Sequence, residues 1–194
     1  YATHTWEIND KLILNDGLRA SYVSLNSAFT DKTFFPFPFD DISQKHMALN
    51  GNLGLIFMPN KLWRMSLSGS SAFRAPNVDD LSKVFESVQG SVLVPNPNLK
   101  PEFAYNGELG ISRVLSEGLS IQATGYYTLL KNALTVGTGT FNGADSVVYD
   151  GQLSQVMTTT NAGKAYVYGF EAMLSGKLND HLSMMATVNY TKGR

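Results

Sequence analysis

Long runs in which apolar and polar residues strictly alternate constrain this chain more than any other feature. From Leu119 to Leu129 one parity reads Leu119, Ile121, Ala123, Gly125, Tyr127, Leu129; the other reads Ser120, Gln122, Thr124, Tyr126, Thr128. A period of two is the mark of a strand with one apolar face. The same split runs through Trp63 to Phe73, Leu49 to Phe57, Tyr166 to Leu174 and Leu182 to Thr191, and less cleanly through Phe103 to Ile111. From Leu12 to Tyr22 the apolar set is Leu12, Leu14, Leu18, Ala20 and Tyr22, interrupted by Asp16. These runs reach about ten residues or more, whereas strands of globular proteins centre on about 5–6. Tilted membrane strands need about 9–11.

The connections alternate in kind. Short turns are predicted at Asn9-Asp10-Lys11, Pro59-Asn60-Lys61, Ser116-Glu117-Gly118 and Lys177-Leu178-Asn179-Asp180, where the residues accept turn geometry. Long connections fall between them, over residues 25–47, 74–102 and 130–164. An up-and-down order puts all the long connections at one end of the sheet and all the turns at the other. Loops beyond about 12–15 residues are unusual in compact domains, whereas outer-membrane barrels pair short periplasmic turns with long extracellular loops. The expected fold is therefore all-β: an antiparallel up-and-down meander of about eight long strands, part of a transmembrane β-barrel. One short helix is expected near 77–87, where Asn77 offers an N-cap, Asp79 and Asp80 follow, and Val78, Leu81, Val84 and Phe85 share a face.

Composition excludes several classes. Charged residues make up 16% of the chain, and 15 Lys+Arg balance 16 Asp+Glu, so no basic nucleic-acid footprint exists. The 43% hydrophobic content excludes disorder. There is no cysteine, hence no disulfide framework or thiolate site. No apolar run approaches the ~20 residues of a membrane helix. Trp6, Trp63, Tyr105, Tyr126, Tyr127, Tyr168 and Tyr190 lie within or near strand ends, which suits an interfacial girdle and equally a sandwich core. The opening Tyr1-Ala2-Thr3-His4 carries no leader pattern, and the chain reads as a piece of a larger protein.

Signals for chemistry are sparse. Three histidines, His4, His46 and His181, fall on a strand, in a long connection and at a turn, and no Gly-x-Ser-x-Gly elbow accompanies them. No metal-ligand spacing occurs, and Gly137-Thr138-Gly139-Thr140 lacks the Lys and helix of a phosphate loop. No metal, cofactor or enzymatic activity is expected. The most unusual segment is Phe34-Phe35-Pro36-Phe37-Pro38-Phe39-Asp40-Asp41. Phe34, Phe35, Phe37, Phe39, Asp40 and Asp41 are the candidate ligand contacts, because rings offer contact area at low entropy cost. The alternative is a loop packed on its own small core.

Phe73-Arg74-Ala75-Pro76-Asn77 with Asp80-Leu81 resembles a segment of TonB-dependent outer-membrane receptors. Pro95-Asn96-Pro97-Asn98-Leu99-Lys100-Pro101-Glu102 resembles that family's N-P-x-L-x-P-E stretch, and Glu108-Leu109-Gly110 its following strand. Tyr126-Tyr127-Thr128 with Asn132 resembles the next strand and its exit. Asn161-Ala162-Gly163-Lys164-Ala165 and Gly169-Phe170-Glu171 resemble its N-x-G … G-x-E pattern, and Leu14-Asn15-Asp16-Gly17-Leu18-Arg19 its L-x-x-G-x-R strand. The resemblance implies that residues 1–194 are part of a 22-stranded barrel domain in the outer membrane of a Gram-negative bacterium. It implies energy-coupled uptake of a scarce nutrient of the siderophore, haem, vitamin or oligosaccharide class. The implied partners are outer-membrane lipid, the remaining strands and plug of the parent receptor, and a TonB-type coupling protein acting through an N-terminal part. The isolated piece is expected to self-associate. The competing expectation is a soluble exported β-sandwich for binding or adhesion; the two differ in whether the apolar stripe is bare or buried.

Overall fold

The computed structural model describes all residues except Asp31, Phe34, Pro38 and Asp180, and the side chain of Leu178. Along the chain run β1 (Ala2–Asn9), β2 (Leu12–Ala28), β3 (Asp41–Asn60), β4 (Trp63–Arg74), α1 (Val78–Ser82), β5 (Phe85–Val88), β6 (Ser91–Val94), β7 (Glu102–Ser116), β8 (Leu119–Lys131), β9 (Leu134–Thr138), β10 (Ser146–Tyr149), β11 (Gln152–Asn161), β12 (Lys164–Asn179) and β13 (Leu182–Gly193). Eight of them form an antiparallel wall in the order β1-β2-β3-β4-β7-β8-β12-β13. Among the described residues this sheet is open, with β1 and β13 as its edges.

The four short turns lie between the strands the sequence separates; in the last, residues 177–179 complete β12 and Asp180 lies outside the described residues. In three, an asparagine closes the turn from its own side chain: Asn9 Oδ1 accepts the Lys11 N–H, Asn60 Oδ1 the Leu62 and Trp63 N–H groups, and Asn179 Oδ1 the His181 N–H, at 2.9–3.2 Å. In the fourth, Gly118 takes φ +82°, a region that glycine enters without a Cβ penalty.

Register fixes the two faces of the wall. Trp6, Leu14, Leu55, Leu67, Leu109, Gly125, Phe170 and Tyr190 line up as direct partners across all eight strands. One residue along lies the polar row Thr5, Asn15, Gly54, Ser68, Glu108, Tyr126, Gly169 and Thr191. The polar face is knitted by side chains: Thr5 to Asn15 at 2.9 Å, Thr128 to Asn106 at 2.7 Å, Asn106 to Glu108 at 2.8 Å and Tyr126 to Thr191 at 2.5 Å. Tyr126 is therefore not part of an outer aromatic girdle.

The apolar face is bare: Leu67 is 57% exposed, Leu109 64% and Phe170 49%. The buried apolar side chains, including Phe35, Leu81, Val92, Leu99, Phe141 and Val156, lie instead in the long connections, or, like Ile42, at the strand end beside them. A sandwich would bury the stripe of its main sheet. This chain buries its loops.

The long connections depart from expectation in three respects. The first is shorter than 25–47, because β2 and β3 stay paired up to Ala28 and Asp41. The helix ends at Ser82 rather than near residue 87, because Phe85–Val88 pair with Ser91–Val94 as the hairpin β5–β6, turned at Gly90 with φ +77°. The connections also build a second sheet, β10-β11-β6-β5 with β9 beside β11. Its β6–β11 pair is parallel, an exception to the expected antiparallel order. Here strands from two separate connections, unconstrained by a hairpin, meet side by side. β9 and β11 prolong the β8–β12 hairpin past a kink of two residues on each strand. There Asn132 adopts φ +56°, its N–H reaching the Gly163 carbonyl at 3.2 Å, and Ala162 donates to Ala133 at 2.6 Å.

Candidate functional site

The head formed by the long connections is where the sequence places ligand contacts. Of the six candidates, Phe34 lies outside the described residues. Phe35 is 1% exposed, in a cluster with Val92, Val94, Phe141 and Val156. Phe37 flanks that cluster, and Phe39 flanks a second one built from Ile42, Leu81 and Leu99. Ring contacts join the two clusters: Phe39 to Phe29 at 5.2 Å, Phe29 to Phe37 at 4.4 Å, Phe37 to Phe35 at 5.2 Å and Phe35 to Phe141 at 4.7 Å. Pro36 sets the backbone between the first two rings, where the Phe37 N–H donates to the Phe35 carbonyl at 2.9 Å. Asp40 and Asp41 face solvent. Lys32 donates to Asp40 at 2.5 Å, and this hydrogen bond, with the Lys32 charge, holds the Asp40 carboxyl below its ordinary pKa.

The motif residues converge on a polar node beneath these clusters. Arg74, at the end of β4, contacts Asp80 at 2.7 Å and Glu102 at 2.5 Å. Asp80 also accepts the Asn77 N–H while donating its own N–H to Asn77, a closed capping box. Glu102 accepts the Leu134 N–H at 2.7 Å. Asn161 exchanges hydrogen bonds with Lys100 and donates to the Asn132 carbonyl, each at 2.8 Å. Asn96 of the same motif and Gln44, which no motif marked, fasten the same region: Asn96 donates to the Thr159 carbonyl, and Gln44 to the carbonyls of Pro97 and Leu99.

Space for a ligand opens beside this node. Pairing of β3 with β4 stops at Asn52 and Ser70, although both strands continue. Ser71 ends the ladder with its side chain, accepting the Gly51 N–H at 3.0 Å. Beyond it lies a cleft of about 840 Å³ whose lining includes Arg19, Ser21, Asn50, Phe73 and Asn77. The histidines do not converge: His4 sits 3.1 Å from Asp16, His46 bonds Gln44, and His181 follows a turn. Among the described residues no group of His, Cys, Asp and Glu is placed to hold a metal.

Residues 1–194 match the family described as TonB dependent receptor-like, beta-barrel. The chain belongs to the TonB-dependent receptor β-barrel family. It is 26% identical over 141 residues to the iron-regulated outer membrane virulence protein of Vibrio cholerae, covering 67% of this chain and 20% of that protein. It is 38% identical over 61 residues to a probable hemoglobin and hemoglobin-haptoglobin-binding protein of Haemophilus influenzae, covering 31% of this chain and 6% of that one. The chain thus spans about a fifth of the first relative's length. In structure it resembles the copper transporter OprC (TM-score 0.73, 18% identity, 99% of this chain, 27% of that one). It also resembles the siderophore receptor PirA from Pseudomonas aeruginosa (TM-score 0.67, 20% identity, 97% and 30%). As in other TonB-dependent barrels of the outer membrane, the bare apolar face of the wall is the surface that meets lipid, and the short turns mark the periplasmic end.

Proposed function

We propose that residues 1–194 are a wall segment of a longer TonB-dependent receptor that imports a scarce nutrient, with iron in chelated form as the cargo best supported by the named relatives. The observation that carries this is the division of burial: the wall leaves its apolar face bare while the loops carry a core of their own. Such a chain serves as a membrane wall bearing a preformed extracellular head. It supplies barrel surface and loops and no catalysis. Ligand binds at the head, the remaining strands close the barrel around a plug, and a TonB-type protein draws on the plug. Within the candidate segment, Phe35, Phe37 and Phe39 set the shape of the loop, and Asp40 and Asp41 are the side chains offered to a ligand.

The test is uptake of radiolabelled iron chelates by cells expressing the whole receptor under iron limitation. One chelate class is expected to enter only with receptor and coupling protein both present. Equal uptake in cells lacking the receptor, for every chelate, haem and vitamin tried, would sink the proposal.

A further inference from the structure

The outer face of the wall carries one built feature that neither transport nor loop packing uses. Near the periplasmic turns, Trp63, Ile111, Arg113, Leu115, Ile121 and Ala123 line a groove of about 270 Å³. Trp63, Arg113 and Ile121 are direct cross-strand partners on the apolar face, as are Met65, Ile111 and Ala123 one step higher. The Arg113 guanidinium lies 4.8 Å from the centre of the Trp63 ring. Among the described residues no carboxylate pairs with it, so a full cation stands in an apolar row of this face, between Trp63 and Ile121. Isolated cations there are costly unless they sit at headgroup level. The position satisfies that condition, because the turns at Lys61–Leu62 and Glu117–Gly118 lie directly below. Aromatic rings prefer this depth, and a cation held over an aromatic face is oriented without losing its charge.

We propose that this groove binds a glycerophospholipid of the periplasmic leaflet, its phosphate on Arg113 and an acyl chain along Ile111, Ile121 and Ala123. The proposal rests on the outer-membrane reading above. Charge complementarity selects the phosphate, and continuity with the bare belt selects an acyl chain over a soluble anion.

The test is native mass spectrometry of the whole receptor in detergent, titrated with phosphatidylglycerol, diacylglycerol or inorganic phosphate. Wild type is expected to hold phosphatidylglycerol about five- to tenfold more tightly than R113Q, the scale of one basic residue at a membrane surface. R113K should recover part of the loss, since it keeps the charge and gives up the planar stack. Diacylglycerol should bind wild type no better than phosphatidylglycerol binds R113Q. Equal affinities of wild type and R113Q, diacylglycerol binding as well as the phospholipid, complete displacement by inorganic phosphate, or occupation of the groove by a second copy would each overturn the lipid site. Heat-modifiable mobility and outer-membrane fractionation of each variant report insertion separately. A wild-type receptor that fails to insert would count against the membrane reading, whereas inserted variants with unchanged lipid affinity would count against the site alone.

Discussion

Arg74 leaves the end of β4 with one guanidinium nitrogen on Asp80 and the other on Glu102, and each carboxylate has a second partner. Asp80 closes the capping box of α1, and Glu102 holds the first N–H of β9. One side chain thereby ties the second long connection to the third. Hydrogen bonds to charged groups contribute about 1.5–3 kcal/mol, and the half-exposed guanidinium places Arg74 at or below the low end. Arg74→Met is expected to weaken the node by about 1–1.5 kcal/mol, speeding amide exchange over residues 78–82 and 134–138 roughly five- to tenfold. The middle of β8 should be unaffected, and uniform acceleration through the wall would contradict a local role. The members of this node were legible as motif residues in sequence, but their mutual contacts were not, because Arg74, Glu102 and Leu134 meet only after the strands pair. Asp16 is a parallel case. It stands out as a break in the apolar stripe, yet its partner His4 follows only from the register of β1 on β2.

At the scale of elements, alternation was enough to read the wall strands and their turns, since a strand's face repeats every two residues whatever surrounds it. It was not enough to read the head. The hairpin β5–β6 has four residues on each side, too few for a periodic signal, and capping chemistry at Asn77 hid it behind an apparent longer helix. The parallel pairing of Ser91–Val94 with Gln155–Thr158 joins residues more than sixty apart, which no local pattern reports. A sharper element-scale constraint lies at Gly169, where β12 runs between β8 and β13. A Cβ there would stand 2.1 Å from the Tyr190 carbonyl oxygen and 2.7 Å from the Tyr126 hydroxyl. The tyrosine ring can swing, but the carbonyl belongs to the ladder and cannot move without breaking register. Gly169→Ala is expected to cost about 1–3 kcal/mol, the range of overpacking. It should also loosen the Tyr126–Thr191 hydrogen bond across the polar face. A full-strength β12–β13 ladder in this variant, seen as unchanged amide exchange over residues 182–193, would show that the sheet absorbs the methyl group.

For the whole molecule, two different surfaces ask for partners. The apolar face meets lipid in the outer membrane; in water each square ångström of it carries a drive of about 25 cal/mol toward burial. The open edges β1 and β13 carry unpaired backbone groups, a template for another strand. Detergent satisfies the first surface and leaves the second untouched, so the two can be separated by experiment. The chain of residues 1–194 alone is expected to form large assemblies in water, because no described segment folds over Leu67, Leu109 or Phe170. Above the critical micelle concentration these should shrink to small species still joined edge to edge. A proline introduced in the middle of β13 should reduce them further by removing a backbone donor. Light scattering in the three conditions gives the answer. A monodisperse monomer in plain buffer, unchanged by detergent and with Leu109 accessible to solvent, would show that the stripe carries no drive to associate and would overturn its assignment to lipid. Assemblies that detergent fails to reduce, and that the proline alone disperses, would move the cause of association from the face to the edges.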